Sequence, residues 1–394
     1  MAAPVDALPT SQSLPAATPT PAKILLWYWG RTGAGPLYTL ELLRALRGQP
    51  GLTVTASLAN GNSLRDDFLA QGGSLHWVET YQDKLSFALG TLRLPWLRHA
   101  FQDFLRQERF DAVLSTMGHL WTPLLADCVT TSGAAYIPVL HDATPHPGET
   151  QPLWRWRRRC ELKQARHIIT LSAAVARGVT ANTGYAADNI SVIPYGVAPL
   201  PGLPLTARSY PVGRPFRFLF FGRIMAYKGL DILLDAWREV QQQRTQAELV
   251  IAGAGDLAPY TQRLALSKGV TCVTRWIGDA EIPKLFTDAD AVVLPYREAS
   301  QSGVTNQAYA AGLPIVATPV GGLVEQVIPD KTGILAATVS ASALAAAMLQ
   351  MMDAAHYDRL AEGVNQHRET LSFAAQAPLY ATVLRNALSP SGND

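Results

Sequence analysis
Residues 216–230 read FRFLFFGRIMAYKGL. The apolar run 216–221 has the length and density of a strand buried on both faces. Gly222 and Arg223 follow at its carboxyl end, and Lys228 opens the next helical stretch, 228–243. A helix N-terminus already carries about half a positive charge, so two cations placed there oppose the dipole. The arrangement makes sense if an anion binds between them, and a diphosphate would satisfy both cations and the helix N–H groups together. The alternative is two surface cations with incidental contacts.

The same alternation of short apolar runs and helical stretches continues on both sides. Downstream, strands are expected at 247–252, 271–275, 290–295, 314–317 and 333–336, with helices at 256–268, 279–289, 302–312, 321–328 and 340–354. Upstream, strands are expected at 23–29, 52–58, 75–79, 111–115, 135–140, 167–171 and 190–193. Strands alternating with helices signify parallel sheets with crossover helices, so the fold class is α/β, with two doubly wound, Rossmann-like domains facing across a cleft. The expected division is a disordered Pro-rich tail at 1–22, a first domain at 23–197, a linker at 198–215 and a second domain at 216–372. A last segment, 373–394, carries a helix that crosses back to the first domain.

Composition narrows the classes. The chain has 394 residues with 33 Lys+Arg against 31 Asp+Glu, a net charge of +2, too mild for a nucleic-acid partner. Cys128, Cys160 and Cys272 are widely spaced, which argues against a disulfide framework or a zinc site. No apolar run has the length of a spanning helix and no signal peptide opens the chain, so a cytoplasmic protein is expected.

Open α/β sheets bind ligands at the carboxyl ends of their strands, and three further loops there carry chemistry. Ser302, Gly303 and Val304 open a helix after the strand at 290–295 and would present free backbone N–H groups as a second anion cradle. Gly30, Gly33 and Gly35 form a glycine-rich loop after the first strand without matching a dinucleotide fingerprint. His141 and Asp142 begin a polar run that continues to His146 and Glu149, where two prolines forbid a helix, so the cluster reads as a functional loop and not as a metal-binding helix face.

Taken together these motifs resemble the GT-B glycosyltransferases, and among them the family-4 (glycosyl transferases group 1) type. The resemblance covers nearly all of 23–388 and is most specific in F-G-R-x4-K-G (221–229), A-G-x-G (252–255), A-D-x4-P-Y (289–296), Q-A-x-A-x-G-x-P-x-V-A-T (307–318) and V-G-G-x-x-E (320–325). It implies a metal-independent transferase with no separate cofactor, its donor a nucleotide diphosphate sugar such as GDP-mannose or a UDP-hexose. Arg223 and Lys228 would hold the diphosphate. Gln301, Ser302, Gly303 and Val304 would meet phosphate and sugar, Gly33, Ala34 and Gly35 would close over the phosphates, and His141 would sit by the reacting sugar. Gly253 and Trp276 fall in the segments 252–256 and 272–278, expected to line the base pocket. One departure stands out: the second carboxylate of the family's Glu-x7-Glu pair is Gln307 here, and Glu298 lies one residue off the first position.

A retaining transfer is expected, since the departing phosphate can take the acceptor proton. An inverting one, with Asp142 or Glu149 as base, a nucleotide-sugar epimerase of the same fold and a non-enzymatic nucleotide-binding module stay open. Residues 153–166 bring six cations and one acid together with Trp154 and Trp156. That stretch reads either as peripheral contact with the inner face of the plasma membrane or as a solvated basic face. The first implies a lipid-linked saccharide acceptor in polysaccharide or glycolipid biosynthesis.

Overall fold
The computed structural model describes residues 21–145, 153–200 and 206–389. His146, Glu149, most of the expected tail and the end of the last segment lie outside them. Seven parallel strands form the first sheet: β1 (Ala22–Tyr28), β2 (Leu52–Ala59), β3 (Leu75–Val78), β4 (Ala112–Ser115), β5 (Ala135–Leu140), β6 (Ile168–Thr170) and β7 (Ile190–Val192), in the order β3-β2-β1-β4-β5-β6-β7. The second sheet has six: β8 (Phe216–Phe221), β9 (Ala247–Ala252), β10 (Val270–Val273), β11 (Ala291–Leu294), β12 (Ile315–Ala317) and β13 (Gly333–Leu335), in the order β10-β9-β8-β11-β12-β13. The central strands β4, β5, β11 and β12 are buried along their whole length, which is why they read as unbroken apolar runs.

Strand order reverses beside β1 in the first sheet and beside β8 in the second. A crevice opens where neighbouring crossovers leave in opposite directions, so the loops after β1, β4, β8 and β11 are where a ligand fits. The stretch 256–268 is broken into a short 3-10 turn (Ala258–Tyr260) and one helical turn, Thr261–Ala265. An unanticipated helix runs over Ala354–Thr370; its inward face is built from His356, Tyr357, Leu360, Ala361 and Val364.

The chain passes between the sheets twice, side by side. The Val197 N–H donates to the Leu371 carbonyl at 2.8 Å, and Asn306 of the second sheet's helix Gly303–Ala310 donates its amide to the carbonyls of Tyr195 (2.7 Å) and Gly196 (2.9 Å). The helix Phe373–Leu388 then lies on the helix Ala34–Arg47. Phe373, Ala377, Tyr380 and Leu384 join the apolar cluster of Ile24, Tyr38, Leu42 and Leu46, and the Tyr38 and Tyr380 hydroxyls meet at 2.5 Å.

Candidate active site
Beyond the ends of β8 and β9 the two loops stay zipped. Gly222 N donates to Ala252 O (2.9 Å), Ile224 N to Ala254 O (2.8 Å), and Gly253 N to Val273 O (3.0 Å). Gly253 (φ +149°) sits with its Cα against the Gly222 carbonyl, so any side chain there would collide with backbone. Arg223, in this seam, is exposed. Lys228 is buried, 9% exposed. Its ammonium lies 5.1 Å over the Tyr296 ring and presses on Gly222, where a Cβ would come within 2.8 Å of Nζ. Among the described residues no carboxylate lies within ion-pair distance of Lys228.

The loops after β8 and β11 are pinned to each other. Arg297 N donates to Tyr227 O at 2.7 Å, and the Arg297 guanidinium grips Asp231 through both oxygens at 2.7 and 2.6 Å. This pair holds the Asp231 carboxyl below its ordinary range, chiefly through the hydrogen bonds from Arg297. Neither residue was marked by the sequence, since their pairing depends on a tertiary contact. Glu298 is exposed, while the next residue, Ala299, is buried beneath the glycine pair 321–322; Gly322 N donates to Ala299 O at 2.8 Å.

One expectation requires correction. The Ser302 N–H is not free: Gln326 accepts it at 2.7 Å and returns its own amide to Ser302 O at 3.2 Å. A long-range side chain has therefore taken one of the three donors of the proposed cradle. Gly303 is exposed, Val304 is buried, and Gln307 is partly buried on the same helix. Trp276 is 67% exposed, so it does not pack in the core. It follows β10, at the outer edge of the sheet, beside the Arg275–Glu281 ion pair (2.6 Å).

From the first sheet, His141 at the end of β5 reaches the β11 loop: Gln301 Nε2 lies 3.4 Å from His141 Nδ1. His141 Nε2 lies 2.9 Å from the Thr116 carbonyl, which can only accept, so the proton sits on Nε2 and the lone pair of Nδ1 faces Gln301. Burial holds this imidazole below its ordinary range and hence neutral. Gln301 Oε1 is buried without a partner. Tyr38, the fifth residue of the helix Ala34–Arg47 that follows Gly33, packs edge-on against His141 at 5.3 Å. Gly33 (φ +84°) leaves that helix start without a side-chain cap, and Gly35 rests on the Tyr28 ring, which leaves no room for a Cβ. Asp142 accepts from Arg158 through its carbonyl at 3.2 Å.

Two contacts outside the sequence motifs' expected roles close the domains. Glu325 accepts the N–H groups of Ala173 (2.6 Å) and Ala174 (2.8 Å), capping a first-domain helix, Ala173–Thr183, with a second-domain carboxylate. Ser172 Oγ donates to Ser300 O at 3.1 Å.

His119, after β4, is buried and held down to about 4 by burial and by the nearby Arg157 and Arg31. Between pH 6.5 and 4 its unfolded imidazole takes a proton that the folded one refuses, so stability falls as pH falls through that window, by about 3 kcal/mol for this residue alone. Denaturation midpoints measured in steps from pH 7 to 4.5 should fall less steeply in His119→Gln than in the wild type. His76, His141, His167 and His367 are shifted in the same direction, chiefly by burial, and add to the wild-type slope.

Two family models match consecutive parts of the chain: "Glycosyltransferase Family 4" over residues 37–199 and "Glycosyl transferases group 1" over 215–354. The chain belongs to the GT-B glycosyltransferases. Among relatives of this glycosyltransferase, a glycogen synthase of Mycobacterium tuberculosis is 31% identical over 195 residues, 49% of this chain and 47% of that one. A D-inositol 3-phosphate glycosyltransferase of Corynebacterium aurimucosum is 28% identical over 292 residues, 68% of each. The match spans about half the length of the first of these. The crystal structure of the Anabaena protein HepE in complex with UDP superposes with a TM-score of 0.71 at 18% identity, covering 93% of this chain and all of that one; it shares the fold. Among the described residues no three His, Cys, Asp or Glu side chains gather as a metal site, and no helix is long and apolar enough to cross a membrane.

Proposed function
We propose that this glycosyltransferase moves a hexose from a nucleotide diphosphate sugar to a saccharide acceptor. The observation that carries the reading is Lys228, a buried cation with no carboxylate partner among the described residues, at the point where strand order reverses. Burying an unpaired charge costs several kcal/mol, and the site recovers that when an anion arrives. Breaking the bond between the anomeric carbon and the diphosphate puts negative charge on the departing oxygen. Lys228, Arg223 and the N–H groups of Gly303 and Val304 would stabilise it. His141, neutral and with both ring nitrogens engaged by Thr116 and Gln301, would sit against the reacting sugar. Gln301 Oε1 would accept a hydrogen bond from a sugar hydroxyl, and Gln307 would reach a ribose hydroxyl. Glu298 and Asp142 would flank the sugar, and Gly253 and Trp276 the base. We favour retention, the leaving phosphate taking the acceptor proton.

The UDP bound by the fold neighbour supports a UDP-hexose over GDP-mannose. Incubation with UDP- and GDP-hexoses should show slow hydrolysis of one of them, accelerated by an acceptor. An anomerically retained product in NMR supports retention, and an inverted one overturns it. Epimerised sugar without transfer would overturn the transferase reading.

A lipid-linked acceptor gains support from the surface. In the helix Trp154–Gln164, Arg155, Trp156, Arg159 and Lys163 face outward. Leu85, Leu89 and Leu92 (72% exposed), at helical spacing on Lys84–Leu92, and Trp96 (73%) on Leu94–Glu108 are exposed, as are Leu120 and Leu124 at the start of the helix Thr122–Thr131, which packs against the basic helix. Apolar side chains beside outward cations suit an anionic bilayer.

A further inference from the structure
Glu325 ends the motif V-G-G-x-x-E, and both of its oxygens are engaged on the other half of the molecule. Oε2 takes the N–H of Ala173 at 2.6 Å and Oε1 that of Ala174 at 2.8 Å, the first two residues of the helix Ala173–Thr183 that follows β6. The first four N–H groups of a helix have no partner within it. Here all four are satisfied: Ser172 Oγ accepts from Val175 at 3.2 Å, Ser172 O accepts from Ala176 at 3.1 Å, and Glu325 takes the other two. A carboxylate also suits the positive end of the helix dipole. The second domain thus completes a helix start that belongs to the first.

The next residue holds the donor loop. Gln326 binds both the N–H and the carbonyl of Ser302, at 2.7 and 3.2 Å, and its amide lies 3.4 Å from Asn306 Oδ1. Asn306 in turn donates to the carbonyls of Tyr195 and Gly196. From the first domain, Ser172 Oγ donates to Ser300 O at 3.1 Å while it accepts from Val175. A Cβ on Gly322 would come within 2.0 Å of Ser300 O, so this loop and the segment that carries Glu325 and Gln326 are packed without slack. Residues 300–302 are therefore held from both domains at once, and Gln301, at their centre, meets His141 at 3.4 Å. That approach depends on the spacing of the domains, since His141 follows a strand of the first sheet and Gln301 a strand of the second.

We infer that Glu325 is a positioning residue for the transfer. By capping the first domain's helix it sets the spacing across the cleft, so that His141 and Gln301 stand together against the reacting sugar while Arg223 and Lys228 hold the diphosphate. Its oxygens are engaged by N–H groups, so it acts through this geometry and not on the sugar. The inference rests on the proposed transfer. A misplacement of about 1 Å costs a reacting pair up to about 100-fold in rate. Glu325→Gln replaces one acceptor oxygen by an NH2 group that opposes an N–H, which loosens the contact without removing it, so a loss of about tenfold is expected.

Turnover of the nucleotide sugar that the protein hydrolyses, UDP affinity by calorimetry and melting curves are compared among the whole wild-type protein, E325Q, A173P and the double variant. Ala173→Pro removes one N–H from the opposite side of the contact. Proline is tolerated at a first helical position, and Ser172 before it is already extended (φ −155°, ψ 156°), as proline requires of its predecessor. Each single variant should lower kcat about tenfold and leave the UDP dissociation constant within about threefold, because the proposed diphosphate cations lie on the second domain. The double variant should be no slower than the slower single one, since both changes remove the same contact. Arg177→Ala takes away only an exposed guanidinium 3.4 Å from Glu325 and should keep turnover within about twofold of the wild type. Additive losses, wild-type turnover in E325Q or A173P, or a fall in UDP affinity as large as the fall in kcat would each overturn the inference. So would a loss in R177A equal to that in E325Q, or unfolding of both single variants at the assay temperature, which would show that the contact serves the fold. A wild type that turns over no nucleotide sugar defeats the proposed function and this inference with it, whereas turnover unaffected by the variants defeats this inference alone.

Discussion

Replacing Lys228 by methionine should lower turnover by about 100- to 1,000-fold, the loss expected for one preorganised donor to a developing oxyanion. The same change should leave stability within about 1 kcal/mol of the wild type, because among the described residues the ammonium makes no ion pair and lies over an aromatic face. Methionine fills the volume of the lysine stem, so no cavity opens beside Tyr296. A donor assay, a melting curve and the UDP-induced rise in melting temperature separate the two effects. Turnover should collapse, the melting temperature should hold, and the rise on adding UDP should shrink. Wild-type turnover would remove Lys228 from the diphosphate site. A large fall in stability would show that the ammonium serves the fold.

Gly253→Ala should act on the fold and the site at once. Its φ of +149° is closed to alanine, and the new methyl would meet the Gly222 carbonyl. Relief requires the β8 and β9 loops to part, which breaks the Ile224–Ala254 hydrogen bond and swings Arg223 away. Overpacking with backbone strain costs about 2–4 kcal/mol, or roughly 5–15 °C in melting temperature for a domain of this size. Donor hydrolysis should be lost even below the melting transition. An alanine variant with unchanged melting and activity would show that the seam tolerates opening.

The strands were legible because a parallel sheet covered on both faces demands long apolar runs, such as the AYIPVL of β5. Arg223 and Lys228 were legible because cations at a helix start conflict with the dipole and ask for a reason. What escaped the sequence depends on partners far along the chain. Gln326 closes over Ser302 and Glu325 caps a helix 150 residues earlier, contacts with no local signature. Tyr296 reads as an apolar strand end until Lys228 is seen lying on it. The basic run at 153–166 looked like one face because its cations are nearly contiguous; only the helix's rotation divides Arg157 and Arg158 from Arg155 and Arg159. The helix Ala354–Thr370 was missed because alanine, glycine and histidine build much of its buried face, leaving little contrast in hydropathy.

The lodging of Phe373–Leu388 against the first sheet's helix has a consequence for synthesis. Tyr38, Leu42 and Leu46 leave the ribosome more than three hundred residues before Tyr380 and Leu384, their neighbours in the finished core. Through most of translation the first half carries an uncovered apolar groove, while the second sheet can complete its own core as soon as the helix Ala354–Thr370 has emerged. The usual amino-to-carboxyl order of domain maturation is therefore reversed. A released chain truncated before residue 373 should be a chaperone client in its first half, and a protease should spare the second.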